Sequence, residues 1–210
     1  MTPFWTLEIV WPDAAISLLI GYLLGSIPFG LLLTWAFGAG DVRKIGSGSI
    51  GATNVLRTGN YAAAALTLLF DALKGVAAVL VVRHNFGDEA ALFAGLGAFL
   101  GHLFPVWLRF KGGKGIAVSL GILLAIYWPV ALIAFASWGV VLAAFRISSL
   151  SALVAAVLTP IYMILFHRPH DAALAVLLAV LVFIAHRENI RRLLNGVEPK
   201  VGSSKSAAAS

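Results

Sequence analysis

Seven apolar stretches decide what this chain can fold into. They run roughly Ala14–Phe37, Tyr61–Val82, Ala90–Leu108, Gly115–Tyr127, Pro129–Phe145, Leu150–Phe166 and Ala172–Ala185. Apolar runs of about 18 residues or more read as transmembrane helices. A water-soluble domain of 210 residues has too little interior for a chain that is 60% hydrophobic and 11% charged, with mean hydropathy +0.96. The pattern therefore predicts an all-α polytopic membrane protein of seven transmembrane helices. The fourth stretch is short for a span and is divided from the fifth only at Trp128-Pro129, so a re-entrant segment is the alternative there.

The net charge of +6 resolves once it is divided between the two sides of such a bundle. Seven spans put Arg43, Lys44, Arg57, Arg109, Lys111, Lys114, Arg146, Arg187, Arg191, Arg192, Lys200 and Lys205 on one face. The other face receives only Arg83 and Arg168, beside Glu8, Asp13, Asp88, Glu89 and Asp171. Basic loops stay cytoplasmic, which predicts the N-terminus outside and the C-terminus inside. Topology and an anionic ligand then account for the basicity, and nucleic acid is not expected as a partner. Short loops favour antiparallel neighbours in a single membrane domain, 1–196. No internal repeat supports an inverted-repeat transporter. The small polar segment 197–210 reads as a disordered tail. Trp5, Trp11, Trp35, Trp107, Trp128 and Trp138 lie mostly near the span ends, as interfacial anchors do. With no cysteine, disulfide and thiolate chemistry are excluded. The stretch before the first span carries no Lys or Arg, so no secretory signal is expected.

Against this hydrocarbon background, the polar segment Asp41–Asn60, DVRKIGSGSIGATNVLRTGN, stands out. Gly46 to Gly51 match G-x-G-x-x-G, with Asp71 about twenty residues on. The dinucleotide reading fails because the motif needs a preceding strand, and a membrane helix precedes it here. The glycines Gly46 and Gly48 still let backbone N–H groups approach a phosphate. Arg43, Lys44 and Arg57 supply charge, and Ser47, Ser49, Thr53 and Asn54 supply neutral hydrogen-bonding groups. The bland alternative is a glycine-rich connector with cytoplasmic cations.

A second segment, Arg109-Phe-Lys-Gly-Gly-Lys-Gly115, leads straight into an apolar helix. It lacks the Walker spacing, yet helix N-terminal amides with Lys111, Gly112, Gly113 and Lys114 suit an anion. A third, His186-Arg-Glu-Asn-Ile-Arg-Arg192, follows the last span, and a helix puts His186 and Asn189 on one face. A histidine there suits hydrogen bonding or general base work. Alone it would read as a cationic span end; on a face shared with the other two segments it reads as part of a site.

Asp71 and Lys74 lie within a span, three residues apart, and are expected to pair; ligand contact and a structural ion pair are both open. His102 is expected in packing, and His84, His167 and His170 on the outer side as incidental. Ser148, Ser149 and Ser151 follow Arg146, and one of them, Ser149 by preference, is placed to reach a substrate. No metal-ligand spacing recurs on the active face. No histidine has an Asp five residues on, and no G-x-S-x-G elbow occurs.

The ordered set of segments resembles the bacterial membrane-integral acyl-phosphate:glycerol-3-phosphate acyltransferase family. The likeness covers most of the chain: Leu24-Gly-Ser-Ile-Pro-Phe-Gly30, Gly46–Arg57, Asp71-x-x-Lys-Gly75, His102–Gly115 and His186–Glu198. Ser49 stands where the family usually has Asn, and Val118 where Thr is common. The resemblance implies transfer of a fatty acyl group from acyl phosphate to the sn-1 hydroxyl of glycerol-3-phosphate, giving lysophosphatidic acid and phosphate in the bacterial inner membrane. It implies a soluble phosphate acyltransferase as the donor's source and no cofactor. A mixed anhydride is already activated, so direct transfer without an acyl-enzyme is expected. Ser47, Gly112, Gly113 and Lys114 are expected to hold phosphate, Arg57 and Asn54 to orient glycerol-3-phosphate, and His186 with Asn189 to place the reacting end. A transporter or channel for a phosphorylated anion is the alternative; it would want polar residues along the spans.

Overall fold

The longest apolar runs are broken by residues that cannot continue a helix. The computed structural model describes residues 10–202, and every regular element among them is helical. α1 (Trp11–Gly25) and α2 (Phe29–Ala36) are one apolar run interrupted at Ser26-Ile27-Pro28. Pro28 has no N–H to donate and disfavours the helical region for Ile27 before it. The first polar loop carries the short α3 (Ala52–Val55) between two 3-10 turns. α4 (Tyr61–Leu103), α5 (Ile116–Phe145), α6 (Ser148–Leu165), α7 (Pro169–Ala185) and α8 (Arg187–Leu194) complete the order.

Two of these helices are hairpins. As a straight rod, the 43 residues of α4 would reach about 65 Å, twice a bilayer's hydrocarbon core. Instead Gly87 takes φ 87° and ψ 178°, a conformation that side chains resist, and the chain reverses there. Lys74 Nζ consequently lies 2.9 Å from His102 Nδ1, and Val79 packs across from Gly95. α5 reverses at Tyr127 (φ −154°, ψ 89°), just before Pro129. Proline at 129 cannot donate to the carbonyl of Ala125. Arg83 takes over that acceptor, its Nη1 donating at 2.6 Å. Leu123 and Ala131, on opposite arms, meet in one apolar cluster. The segment 115–127 is the first arm of a helical hairpin.

Each of the seven apolar stretches falls on one helical arm: α1 with α2, two arms of α4, two of α5, α6 and α7. By length and composition alone, four helical segments can cross a membrane: Trp11–Ala36, Tyr61–Leu108, Ile116–Phe145 and Ser148–Leu165. A fifth is added if α7 and α8, bent by 64° at His186, count as one.

Small residues bring the helices together. Gly21 and Gly25 of α1 lie on the backbone of Ala94 and Ala98, while Gly97 and Gly101 answer against Leu18 and Tyr22. A Cβ at any of these four would overlap the facing main chain, the close approach by which helices associate in lipid. The main cluster joins Val79, Phe99, Ile122, Leu153 and Leu178 from four helices. Outward-facing Leu69, Leu73, Leu132, Ile164, Leu165 and Leu177 give the bundle an apolar sheath far larger than a soluble surface tolerates.

Polar groups gather at the two ends. At the end where α4 and α5 reverse, Arg83 pairs with Asp88 at 2.7 Å. There too Arg168 pairs with Asp171 at 2.6 Å and lies 5.2 Å from the Tyr127 ring centroid. The opposite end carries the three polar segments. Trp138 is not an end anchor; it is half-buried within the second arm of α5. Residues 197–202, assigned to a disordered tail, are held by the amide of Val201, which donates to Arg146 O at 2.7 Å, and by Glu198. Trp5, Glu8 and Lys205 lie outside the described residues.

Candidate active site

The first loop is wound around one amide. Asn54 is buried, with Nδ2 2.9 Å from the carbonyls of Val42 and Ile45 and 2.8 Å from that of Ser49. Its Oδ1 accepts from the Ser47 amide at 3.1 Å. Every polar atom of Asn54 is therefore engaged by the loop, so it shapes the loop instead of meeting a ligand, contrary to expectation. Ser49 is likewise turned inward, its Oγ accepting from the Gly51 amide at 3.3 Å. Beside the exposed cations Arg43 and Lys44, the loop exposes Gly46, Ser47, Gly48 and Thr53. A Cβ at Gly46, where φ is +53°, would overlap the guanidinium of Arg57, which lies directly over that glycine. Arg57 is half-buried and has neither a carboxylate nor a hydrogen-bonding partner among the described residues.

The second loop departs from expectation in a useful way. The amides of Gly112 and Gly113 donate to the carbonyls of Leu103 and His102, each at 3.0 Å. They satisfy orphan acceptors at the end of α4 and are not free for a phosphate. Their lack of side chains lets the loop lie on that helix end: a Cβ would overlap the His102 carbonyl at 112 and the His102 ring at 113. The free donors come next, the backbone amides of Lys114, Gly115 and the first turn of α5. A helix N-terminus of this kind attracts anions. Lys114 stands beside it, its Nζ donating to Asn189 Oδ1 at 2.6 Å. Burial pushes the Lys114 pKa down to about 8; nearby Arg192 and Arg57 act in the same direction, while Glu198 opposes them. Lys111 is exposed.

The third segment turns at His186, the residue between α7 and α8. The ring is buried, and its Nδ1 is 2.9 Å from the Val182 carbonyl. Burial chiefly, helped by the Lys114 charge, pushes the His186 pKa down to about 4, so the ring is neutral at physiological pH. A neutral ring donates from Nδ1 to that carbonyl and leaves Nε2 as the free acceptor.

Glu198 joins these pieces and was missed in the sequence. Its Oε1 accepts from Ser149 Oγ at 2.7 Å and from Asn189 Nδ2 at 2.6 Å, and its Oε2 from Arg192 Nε at 2.6 Å. Burial alone would raise its pKa; hydrogen bonds from Ser149, Asn189 and Arg192 outweigh that and hold it below the ordinary value. The only signal available was a second carboxylate, after Glu188, set among Arg187, Arg191, Arg192 and Lys200. Ser149, expected as a substrate contact, is oriented by this carboxylate. Thr53 Oγ1 lies 3.4 Å from Ser148 Oγ and ties the first loop to the same helix start.

Asp71 and Lys74 do pair, at 2.7 Å, closed in by protein behind the second loop, where Lys74 Nζ lies 2.9 Å from His102 Nδ1. Both side chains are 2% exposed, and Lys74 Nζ also donates to Ile27 O at 2.9 Å. That enclosure is what the structural alternative expects. No group of three or more His, Asp or Glu at metal-binding separation occurs among the described residues.

An apolar groove begins where the polar site ends. Ile116 and Ala117 in the first turn of α5, and Val182, whose carbonyl holds His186, line its mouth. Leu120, Leu123, Ala155, Ala175 and Leu178 continue its walls. Ser119 Oγ and Trp138 Nε1 also face it, both buried without a hydrogen-bond partner.

A bundle sheathed in leucine, with a cationic recess opening at one end into a groove between helices, defines an integral membrane protein built to meet an anion beside lipid. A family model described as glycerol-3-phosphate acyltransferase matches residues 15–196, and the chain belongs to that family. A glycerol-3-phosphate acyltransferase of Mesorhizobium japonicum is 62% identical over 188 residues, covering 90% of this chain and 96% of the relative. One from Cereibacter sphaeroides is 57% identical, covering 89% of each chain. Among solved structures, the glycerol 3-phosphate form of PlsY (YgiH), an integral membrane glycerol 3-phosphate acyltransferase, superposes with a TM-score of 0.85 at 36% identity. It covers 91% of this chain and 97% of that one. The lysophosphatidic acid form gives 0.82 at 34% identity, over 92% and 97%.

Proposed function

We propose that this family member is a glycerol-3-phosphate acyltransferase that takes its fatty acyl group from acyl phosphate and delivers it to the sn-1 hydroxyl. The seven helical arms cross the bacterial inner membrane with the N-terminus outside, and the site faces the cytoplasm. The charge division supports that orientation, because nearly all basic residues fall at the site's end. A soluble phosphate acyltransferase supplies the donor.

One observation carries the reading: the free amides of α5, Lys114 and neutral His186 meet at the mouth of an apolar groove. Acyl phosphate has this two-part chemistry, a phosphate joined to a hydrocarbon chain. Its chain lies in the groove, while Lys114, the first-turn amides and Ser47 hold phosphate. Arg57 neutralises the phosphate of the acceptor. The sn-1 oxygen of glycerol-3-phosphate attacks the acyl carbonyl carbon and gives up its proton to His186 Nε2. The bond between that carbon and the phosphate oxygen then breaks. Inorganic phosphate leaves, and lysophosphatidic acid remains with its chain in lipid. No protein nucleophile is needed, since phosphate is already a good leaving group; cations and oriented amides stabilise the charge that develops on it.

The test is phosphate release by purified protein. Release only when acyl phosphate and glycerol-3-phosphate are both present fits acyl transfer; release from acyl phosphate alone, or none at all, overturns it. Near-normal turnover in His186→Ala reassigns the base to a substrate phosphate oxygen. A carrier of phosphorylated anions predicts uptake into vesicles without lysophosphatidic acid formation.

A further inference from the structure

Asp71, Lys74 and His102 form a buried ionisable cluster for which the transfer step has no use. Lys74 is engaged three ways: an ion pair with Asp71 at 2.7 Å, a hydrogen bond to the Ile27 carbonyl at 2.9 Å and one to His102 Nδ1 at 2.9 Å. The three side chains are 2–3% exposed. Ile27 sits in the break between α1 and α2, and its carbonyl, which accepts from the Phe29 amide at 3.1 Å, takes Lys74 as a second donor. One end of the cluster therefore secures the broken helix.

The other end reaches the second loop. An ammonium has donors only, so His102 Nδ1 accepts and its ring orientation is set by Lys74. The same residue touches the loop twice. Its carbonyl receives the Gly113 amide at 3.0 Å, and its ring edge fills the space a side chain at 113 would occupy. Lys114 is the next residue. Burying charges inside a membrane bundle is costly, and apolar residues of similar size would pack helices as well. What apolar residues cannot do is fix one ring orientation beneath a glycine.

We infer that Asp71, Lys74 and His102 are positioning residues that set the height of the Lys111–Gly115 loop, and so of Lys114, against the substrate phosphate. The inference rests on the reading that Lys114 binds phosphate. Its clearest signature is steric relief. Gly113→Ala drives a methyl into the imidazole and lifts the loop, and His102→Ala removes the obstacle. Lys114 holds the phosphate of acyl phosphate, so a displaced loop shows most in the KM for that donor.

The experiment uses the full-length protein in detergent, with steady-state kinetics, thermal unfolding and hydrogen exchange. Gly113→Ala is expected to raise that KM about tenfold or more while kcat changes less. The Gly113→Ala/His102→Ala double variant should return to within about threefold of His102→Ala alone, the non-additivity expected of residues in contact. His102→Gln keeps an acceptor for Lys74 and should hold KM near wild type, whereas Asp71→Asn should raise it and also lower Tm, since it leaves the Lys74 charge buried without its partner. Equal KM in all variants alongside lowered Tm, or no relief in the double variant, overturns the inference. Amide exchange of residues 109–115 gives a readout without turnover: faster in Gly113→Ala, restored in the double variant. Phosphate release by the wild-type protein tests acyl transfer separately, so the two ideas can fail independently.

Discussion

Lys114 Nζ lies 2.6 Å from the side-chain oxygen of Asn189, a hydrogen bond between residues 75 apart in sequence. It joins the loop ahead of α5 to the short helix after α7. Asn189 spends its amide nitrogen on Glu198, so the lysine, the amide and the carboxylate form one line across the site. Lys114 is thus steered by groups from the far end of the chain.

The depressed pKa of Lys114 gives the site an alkaline limit. The lysine must be protonated to attract phosphate, and burial lowers its pKa to about 8. The kcat/KM for acyl phosphate should fall as pH rises through about 8, since that parameter reports the free enzyme. Bound phosphate favours the charged form, so the limb in kcat should lie higher. Lys114→Met should cost roughly a hundredfold or more in kcat/KM and remove the limb. A limb that persists in Lys114→Met belongs to another group.

Glu198 should couple stability to acid. Its hydrogen bonds hold its folded pKa below the unfolded value of 4.5, so the unfolded chain binds this proton more tightly. Its contribution is full above that value and drains as pH falls through the lower folded pKa. Glu198→Ala strands Asn189 and Arg192 and should cost about 2 kcal/mol, allowing for the partial exposure of Arg192. Thermal unfolding at pH 7 and at pH 4 measures both effects. An equal loss at the two pH values contradicts this account.

Asn54→Ala should unwind the first loop without disturbing the bundle. Four main-chain groups lose the amide they share. Stranding them should cost about 1–3 kcal/mol locally. Protease nicking between residues 42 and 51 should accelerate, with the helical circular dichroism unchanged and kcat/KM reduced. Asn54→Asp should rescue little, because it accepts but cannot donate to the three carbonyls.

Chain-length dependence should move with the groove. Ala155 lines it opposite α5, and Ala155→Leu fills space that a long chain needs. The ratio of kcat/KM for long over short acyl phosphates should drop several-fold, each lost methylene contact being worth about 0.8 kcal/mol. An unchanged ratio places the chain elsewhere.

The sequence carries the architecture in two kinds of signal. Apolar runs locate all seven helical arms, because lipid-facing helices are hydrophobic all round and need no periodicity to be seen. The reversals at Gly87 and Tyr127 were legible as the gap before Ala90 and as Trp128-Pro129. The three site segments were legible because polar residues are conspicuous in such a chain. Individual roles were not. Gly112 and Gly113 look like a phosphate cradle, yet their amides belong to α4, since a helix ending beside them needed donors. Asn54 looks like a ligand contact, yet it is the hub of its own loop. Glu198 escaped because nothing local separates a carboxylate that folds back from one that waves in solvent. Its three partners lie 49, 9 and 6 residues away, and only the fold brings the first of them near.

That late carboxylate has a consequence for biogenesis. Ribosomes make the chain from its N-terminus, so α1 to α8 leave the ribosome before residue 198 does. A nascent chain with every helix already in the bilayer still lacks the group that orients Ser149, Asn189 and Arg192. Catalysis would therefore wait until residue 198 has emerged and folded back, and a chain truncated just after α8 would insert normally yet remain silent.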